Sequence, residues 1–153
     1  MLAGIRRFIA EIGSHEDDGG LTVDEDQIQL AAAALLFHVV AVDGVVSDAE
    51  CAMLTELLSR RFDLEPDEAR SLVKAARTAD AEAIDLYGFT SVLKRRLEVA
   101  DRERIIEMMW RLVYADGTVH EFEDNAVWRV AELLGVSSKA RIRLKQAVRN
   151  DAG

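Results

Sequence analysis

The sequence predicts an all-α fold, and three observations support this prediction. Half of the 153 residues are hydrophobic but only 6% are aromatic, so alanine, leucine and valine must fill the core. That composition, with a single proline, favours packed helices. Apolar residues recur at helical spacing, and no segment alternates apolar and polar residues as a half-buried strand does. The chain is long enough for one domain with a substantial core.

The N-terminal part is predicted to lie outside the main domain. Residues 2–12 form a short amphipathic helix pattern, and residues 13–22 form an acidic, glycine-rich loop. The start of the chain lacks the apolar run and small-residue cleavage site of a secretion signal. We therefore assign residues 1–22 to an N-terminal helix and loop and residues 23–150 to the helical domain.

The second predicted helix runs from about Val23 to Val42 and forms the centre of the core. Thr22 and Glu25 match a capping box at its start. Its apolar stretch over 30–42 is too short to cross a membrane, which takes roughly 20 residues. The helix is predicted to end at Asp43-Gly44, because glycine is common just past a helix end.

Six further helices follow, and five of them have a recognisable start or stop. Serine or aspartate precedes three of them, and the only proline of the chain suits a first helical position. The predicted spans are about 48–61, 66–79, 84–97, 102–115, 121–134 and 138–149, with starts at Ser47, Pro66, Asp101 and Ser137 and a stop at Gly135.

The chain contains an internal repeat. A shift of 73 places aligns FHVVAVDGVVSDAE (37–50) with WRLVYADGTVHEFE (110–123). Asp, Gly, Val, an acidic residue and Glu recur at fixed spacing in both copies. Each copy predicts a helix, an Asp-Gly turn and a second helix, over about 30–61 and 103–134. We expect the two units to pack with approximate two-fold symmetry.

The repeated turns suggest a site for a divalent cation. The string D-G-x-V-x-x-x-E matches the second half of a calcium-binding EF-hand loop, including the final glutamate. The first half is absent, because the residues at loop positions one and three carry no carboxylate. Calcium, magnesium, manganese or zinc is the expected ligand, and no organic cofactor is expected. The candidate metal ligands are Asp43, Asp48, Glu50, Asp116, Glu121 and Glu123.

The same residues also have a purely structural explanation. Glu50 belongs to a capping box with Ser47, and Asp48 is favoured by the helix dipole. Asp43 and Asp116 are explained less well, because an anion at a helix C-terminus is disfavoured by up to about 1 kcal/mol. A cation site and a set of helix caps both remain open at this stage.

Composition and charge exclude several functions. A net charge of −9 argues against nucleic-acid binding, and residues 1–50 carry 10 acidic but only 2 basic side chains. The single cysteine, Cys51, fits a reducing compartment. The sequence contains no nucleophile paired with a base, no glycine-rich phosphate-binding loop and no zinc-binding motif. We therefore predict no catalytic residues and no enzyme. Metal-dependent phosphoester hydrolysis is the remaining enzymatic alternative.

The Asp-Gly units resemble the TerB-like family, named for bacterial tellurite resistance. The resemblance covers residues 25–150 and is clearest over 41–58 and 85–140. It implies a helical bundle in a stress-response system, with acidic residues proposed to bind metal and no established catalytic activity. Similar domains occur at the front of membrane-anchored DnaJ-type co-chaperones. The same six acidic positions carry the family's acidic residues, and Phe122 and His120 depart from its usual pattern.

Two function classes follow from the residues and the resemblance. The first is a non-enzymatic metal-binding or metal-sensing stress-response module. The second is a protein-interaction or scaffold module whose acidic turns are structural. Both imply a protein partner, with membrane association as one option, and an oligomer is left open. We expect a cytoplasmic location, or a peripheral one at the inner membrane, and no transmembrane segment.

Overall fold

The protein is a helical bundle. The structure is a computed structural model that describes residues 21–42, 44, 46–116 and 121–152. Within these ranges there are seven α-helices, a short 3-10 turn and no strand, which confirms the predicted all-α class. The helices are α1 (Leu21–Ala41), α2 (Asp48–Phe62), α3 (Pro66–Glu82), α4 (Tyr87–Arg96), α5 (Val99–Val113), α6 (Glu121–Leu134) and α7 (Ser138–Ala152), and the 3-10 turn spans Tyr114–Asp116. The helix predicted over 2–12 lies outside the described residues.

Helix α1 is the central element of the bundle. Its residues 30–37 are all buried, and so are Val39 and Val40. A helix that is apolar on every side must be enclosed by others. Accordingly, α3 and α4 pack most extensively against it, and α2, α5 and α6 complete the enclosure. Four consecutive alanines, Ala31 to Ala34, have no exposed surface and leave room for this close packing.

The predicted starts and stops at several helix ends are confirmed. Pro66 is the first residue of α3. The hydroxyl of Ser137 accepts a hydrogen bond at 3.1 Å from a backbone N–H in the first turn of α7. Gly135 follows α6 with a φ of +75°, which glycine adopts without steric cost. The N–H of Val136 donates to the carbonyl of Ala131 at 2.9 Å and closes the helix end.

The predicted start of α5 is wrong, and the reason is tertiary. The helix begins at Val99 with Glu98 as N-cap, so Asp101 lies in its first turn rather than before it. The carboxylate of Asp101 instead accepts a bond from the guanidinium of Arg61 on α2 at 3.2 Å. The sequence around Asp101 is the same whether this residue caps a helix or pairs with a residue 40 positions away, so the sequence alone does not distinguish the two roles.

Two other predicted helix starts are wrong. Thr22 is helical, as is Leu21 before it, so Thr22 is not the N-cap of α1. Helix α4 begins at Tyr87, three residues later than the predicted start at Ile84. The residues between α3 and α4 form a short connection instead, with Leu86 as the N-cap of α4.

Trp110 joins the three C-terminal helices. Its ring is fully buried in α5, and its indole N–H donates to the carbonyl of Arg141 on α7 at 3.2 Å. The ammonium of Lys145 lies 5.1 Å from the ring centroid and bonds the carboxylate of Asp124 on α6 at 2.7 Å. One aromatic ring therefore fixes α5, α6 and α7 together, combining packing with a cation–π contact.

Both predicted helix–turn–helix units are present as pairs of helices. The first unit is α1 and α2, and the second is α5 and α6. Their arrangement about an approximate two-fold axis stays a prediction.

We expect Ala33→Leu to destabilise the protein, because the added side chain has no free volume beside the buried face of α1. Over-packing of this kind lowers the free energy of unfolding by about 1–3 kcal/mol. Ala147→Leu is the matched control, since Ala147 is exposed on α7, and should change stability by less than about 0.5 kcal/mol. Urea denaturation measures both, and equal stability of the two variants would contradict the packing assigned to α1.

Candidate functional site

The first Asp-Gly turn connects α1 to α2. Gly44 has a φ of +86°, a left-handed conformation that favours glycine. Its N–H donates to the carbonyl of Ala41 at 2.9 Å and closes the end of α1. Asp43, a predicted metal ligand, lies outside the described residues.

The second Asp-Gly turn follows α5. Asp116 is the last residue of the 3-10 turn over Tyr114–Asp116. The backbone of Asp116 is described but its side chain is not, and residues 117–120 lie outside the described ranges. The ligand roles of Asp43 and Asp116 therefore stay predictions.

Glu50 is held inside the protein as part of a helix cap. Its Oε1 accepts a hydrogen bond from the N–H of Ser47 at 2.9 Å, while the hydroxyl of Ser47 accepts one from the N–H of Glu50 at 3.0 Å. This reciprocal pair is the predicted capping box. Only 4% of Glu50 is exposed, so its carboxylate is shielded as well as bonded.

Glu123 occupies the corresponding position in the second unit. It lies in the first turn of α6, and only 1% of it is exposed. Like Glu50, it has an interaction partner within the chain. A buried carboxylate is expected to be bonded, since leaving it unpaired would carry a large desolvation cost. The repeat thus places one enclosed glutamate at the start of each second helix.

The two remaining acidic candidates point to solvent. Asp48 and Glu121 are exposed first-turn residues of α2 and α6, where the helix dipole favours a negative charge. Within the described ranges, no three side chains of histidine, cysteine, aspartate or glutamate lie close enough to hold a metal ion. The described members of the predicted set are therefore divided between enclosed and exposed positions.

A polar pair that the sequence does not reveal lies near the first turn. Nδ1 of His38 on α1 and Oδ1 of Asp80 on α3 are 2.9 Å apart in a half-buried setting. His38 is surrounded in sequence by apolar residues, and its partner is 42 positions away. The pair holds the carboxyl ends of α1 and α3 together and satisfies the polar atoms that α1 brings towards the core.

Cys51 is a half-buried free cysteine. Its Sγ lies 3.9 Å from the guanidinium of Arg77 on α3. The same guanidinium lies over the ring of Phe37, 5.2 Å from its centroid. Arg77 therefore contacts both α1 and α2 from its position on α3.

A shallow groove runs between α2, the 3-10 turn and α7. Its floor is apolar, and arginines with opposing carboxylates line its rim. The cation of Arg111 bonds Glu107 at 2.9 Å and Asp151 at 3.4 Å, while Arg60 bonds Glu56 at 2.8 Å. The residues of the groove include Met53, Leu57, Arg60, Tyr114, Val148 and Arg149.

These features define a class of protein: a small helical bundle that contains two helix pairs, α1–α2 and α5–α6, with a capping box at the start of α2. No helix in the described part of the chain combines the length and hydropathy needed to cross a bilayer. The chain belongs to the TerB family, because the family model described as tellurite resistance protein TerB matches residues 29–146. The resemblance seen in the sequence is thereby confirmed.

A solved structure shares the fold. A crystal structure of a protein of unknown function from Porphyromonas gingivalis W83 matches with a TM-score of 0.61 and 18% sequence identity. The match covers 81% of this chain and 94% of the other. No curated protein matches the chain. At this identity the structural match supports the fold alone.

We expect Ser47→Ala to lower the free energy of unfolding by about 1 kcal/mol, because it removes the hydroxyl that caps α2. Ser138→Ala is the control, since Ser138 is exposed and follows the N-cap of α7. Thermal and urea denaturation measure the difference. Equal stability of the two variants would show that the Ser47–Glu50 cap contributes nothing to the fold.

Proposed function

We propose that this chain is a non-catalytic protein-interaction module of the TerB family, in a bacterial stress response related to tellurite resistance. The observation that carries the proposal is the state of Glu50. In a half-EF-hand, this glutamate would turn its carboxylate towards the loop and bind the cation through both oxygens. Here it is enclosed and accepts the hydrogen bond of Ser47.

Helix capping accounts for Glu50, and Asp48 and Glu121 lie where a helix N-terminus favours anions. Glu123 is enclosed and has a partner within the chain. A bundle that needs its acidic turns for folding still presents large helical surfaces to other proteins. The family description supports a stress response related to tellurite resistance. The interaction role is proposed because the acidic residues have structural roles and the helical surfaces remain available to a partner.

The test is reconstitution of a complex from purified components. Proteins retained from a bacterial extract by the immobilised full chain are identified by mass spectrometry, purified, and titrated against the chain by calorimetry. We expect at least one to bind with a dissociation constant in the micromolar range or below, which corresponds to about 8 kcal/mol. Failure of every purified candidate, or turnover of a phosphoester panel with manganese, would overturn the proposal.

A divalent-cation site is the second candidate, and the position of Asp116 favours it. This residue follows α5 at the carboxyl end of the helix, where the dipole disfavours an anion. A cation shared with Asp43 or with backbone carbonyls would offset that cost. Asp48 and Glu121 could add ligands from the adjacent first turns, with water completing the oxygen shell of a hard cation.

We expect calorimetric titration with calcium, magnesium, manganese and zinc to separate the two candidates. If the Asp-Gly turns bind a cation, the full chain gives binding heat and a thermal shift that Asp43→Asn/Asp116→Asn abolishes. Asp67→Asn is the control, because Asp67 is an exposed carboxylate in the first turn of α3. No heat with any metal would leave the interaction module alone, and equal binding by the double variant would place the cation elsewhere.

A further inference from the structure

The connection between α3 and α4 exposes two large apolar side chains. Ile84 is fully exposed and Tyr87 is 68% exposed, more than any other large hydrophobic residue in the described part of the chain. A single exposed apolar residue is ordinary, but here two lie within four positions of the chain. We call residues 82–87 the α3–α4 corner.

The backbone of the α3–α4 corner is fixed. Leu86 is 9% exposed and belongs to the core, so it anchors the segment from the inside. Its carbonyl accepts hydrogen bonds from the N–H and the hydroxyl of buried Thr90, at 3.0 and 3.1 Å. The carboxylate of Asp85 accepts the N–H of Tyr87 at 2.9 Å. Ile84 and Tyr87 are therefore held outward by a pre-ordered loop, which reduces the entropic cost of binding.

The segment that contains the α3–α4 corner is acidic. Between Arg77 and Lys94 the chain carries Asp80, Glu82 and Asp85 but no lysine or arginine. The guanidinium of Arg77 is turned to Phe37 and Cys51 on neighbouring helices. A partner at the α3–α4 corner thus meets the exposed carboxylates of Glu82 and Asp85, which neighbour Ile84 and Tyr87 in the chain.

The end of α1 lies at the same end of the bundle as the α3–α4 corner. The His38–Asp80 pair joins α1 to α3 at 2.9 Å. Val42 lies one helical turn beyond His38 and is 37% exposed. Ile84 lies four residues after Asp80, just past the carboxyl end of α3. Both exposed aliphatic residues consequently project from the same end of the bundle.

We propose that the α3–α4 corner docks a cationic amphipathic segment of a partner protein. Aliphatic or aromatic side chains of the segment cover Ile84 and Tyr87, and its lysines or arginines face Glu82 and Asp85. The inference rests on the proposed interaction function and names the surface and the partner's chemistry. Charge complementarity favours a cationic protein segment as the partner, because the carboxylates of Glu82 and Asp85 would repel an anionic bilayer or a nucleic acid.

Two other occupants of the α3–α4 corner are the N-terminal segment of this chain and a second copy of the chain. The experiments below distinguish both from a partner protein. The chain's own residues 2–12 contain Arg6 and Arg7 beside apolar residues. A second copy of the chain could pair its own α3–α4 corner with this one, although that would bring the like charges of Glu82 and Asp85 together.

The probe is an 18-residue amphipathic helical peptide of leucine and lysine, with the matched leucine and glutamate peptide as control. Fluorescence anisotropy with the full chain measures binding. We expect the lysine peptide to bind and the glutamate peptide not to bind. Ile84→Ser/Tyr87→Ser should weaken binding by about tenfold or more, as expected for central apolar contacts. Glu82→Gln/Asp85→Asn should weaken it and reduce its dependence on salt.

Ile142→Ser is the control for the apolar contact. Ile142 is a 44% exposed isoleucine on α7, between the exposed cations Lys139 and Arg143. Its substitution should leave binding of the lysine peptide unchanged. Circular dichroism and thermal denaturation of each variant verify the fold. Equal binding by Ile84→Ser/Tyr87→Ser, or equal binding of both peptides, would overturn the proposal.

The remaining occupants give distinct results. Tighter peptide binding by Arg6→Glu/Arg7→Glu would assign the α3–α4 corner to the chain's own N-terminus. A dimer in sedimentation that Ile84→Ser/Tyr87→Ser dissociates would assign it to a second copy, and either result would overturn a partner segment. A purified partner that binds wild type and Ile84→Ser/Tyr87→Ser equally would overturn the α3–α4 corner and leave the interaction module intact.

Discussion

Enclosure of α1 is the constraint on which the rest of the structure depends. Residues 30–37 of this helix have almost no exposed surface, so apolar faces of other helices must cover it on all sides. The four alanines in this stretch bring neighbouring backbones close, and dense packing leaves little tolerance for a change in volume. The positions of α3 and α4, and through them the α3–α4 corner, follow from this enclosure.

A polar residue in so apolar a helix needs a partner, and His38 finds one in Asp80. Their hydrogen bond satisfies two half-buried polar groups and aligns the carboxyl ends of α1 and α3. The same end of the bundle carries the first Asp-Gly turn and the α3–α4 corner. Packing of the core and the chemistry of this surface are therefore linked through one pair of side chains.

The repeated glutamates illustrate how one sequence pattern serves two physical purposes. Asp-Gly followed by a glutamate six residues after the glycine matches both a cation-binding loop and a turn leading into a capped helix. Glu50 is engaged in its capping box, and Glu123 is enclosed with a partner of its own. Membership of the TerB family is consistent with either role, because the family model identifies the family and names no ligand.

The sequence by itself determined the elements whose signals are local. The apolar run over 30–42 predicted a buried helix, and Ser47, Pro66 and Gly135 marked helix ends because capping geometry depends on neighbouring residues. It also identified the repeat and the family. Tertiary structure alone decided the features that depend on distant residues. Asp101 pairs with Arg61 instead of capping α5, and His38 meets Asp80. The sequence also does not predict the exposure of Ile84, because an isoleucine at helical spacing is usually buried. The packing of α3 and α4 places this residue outside the core.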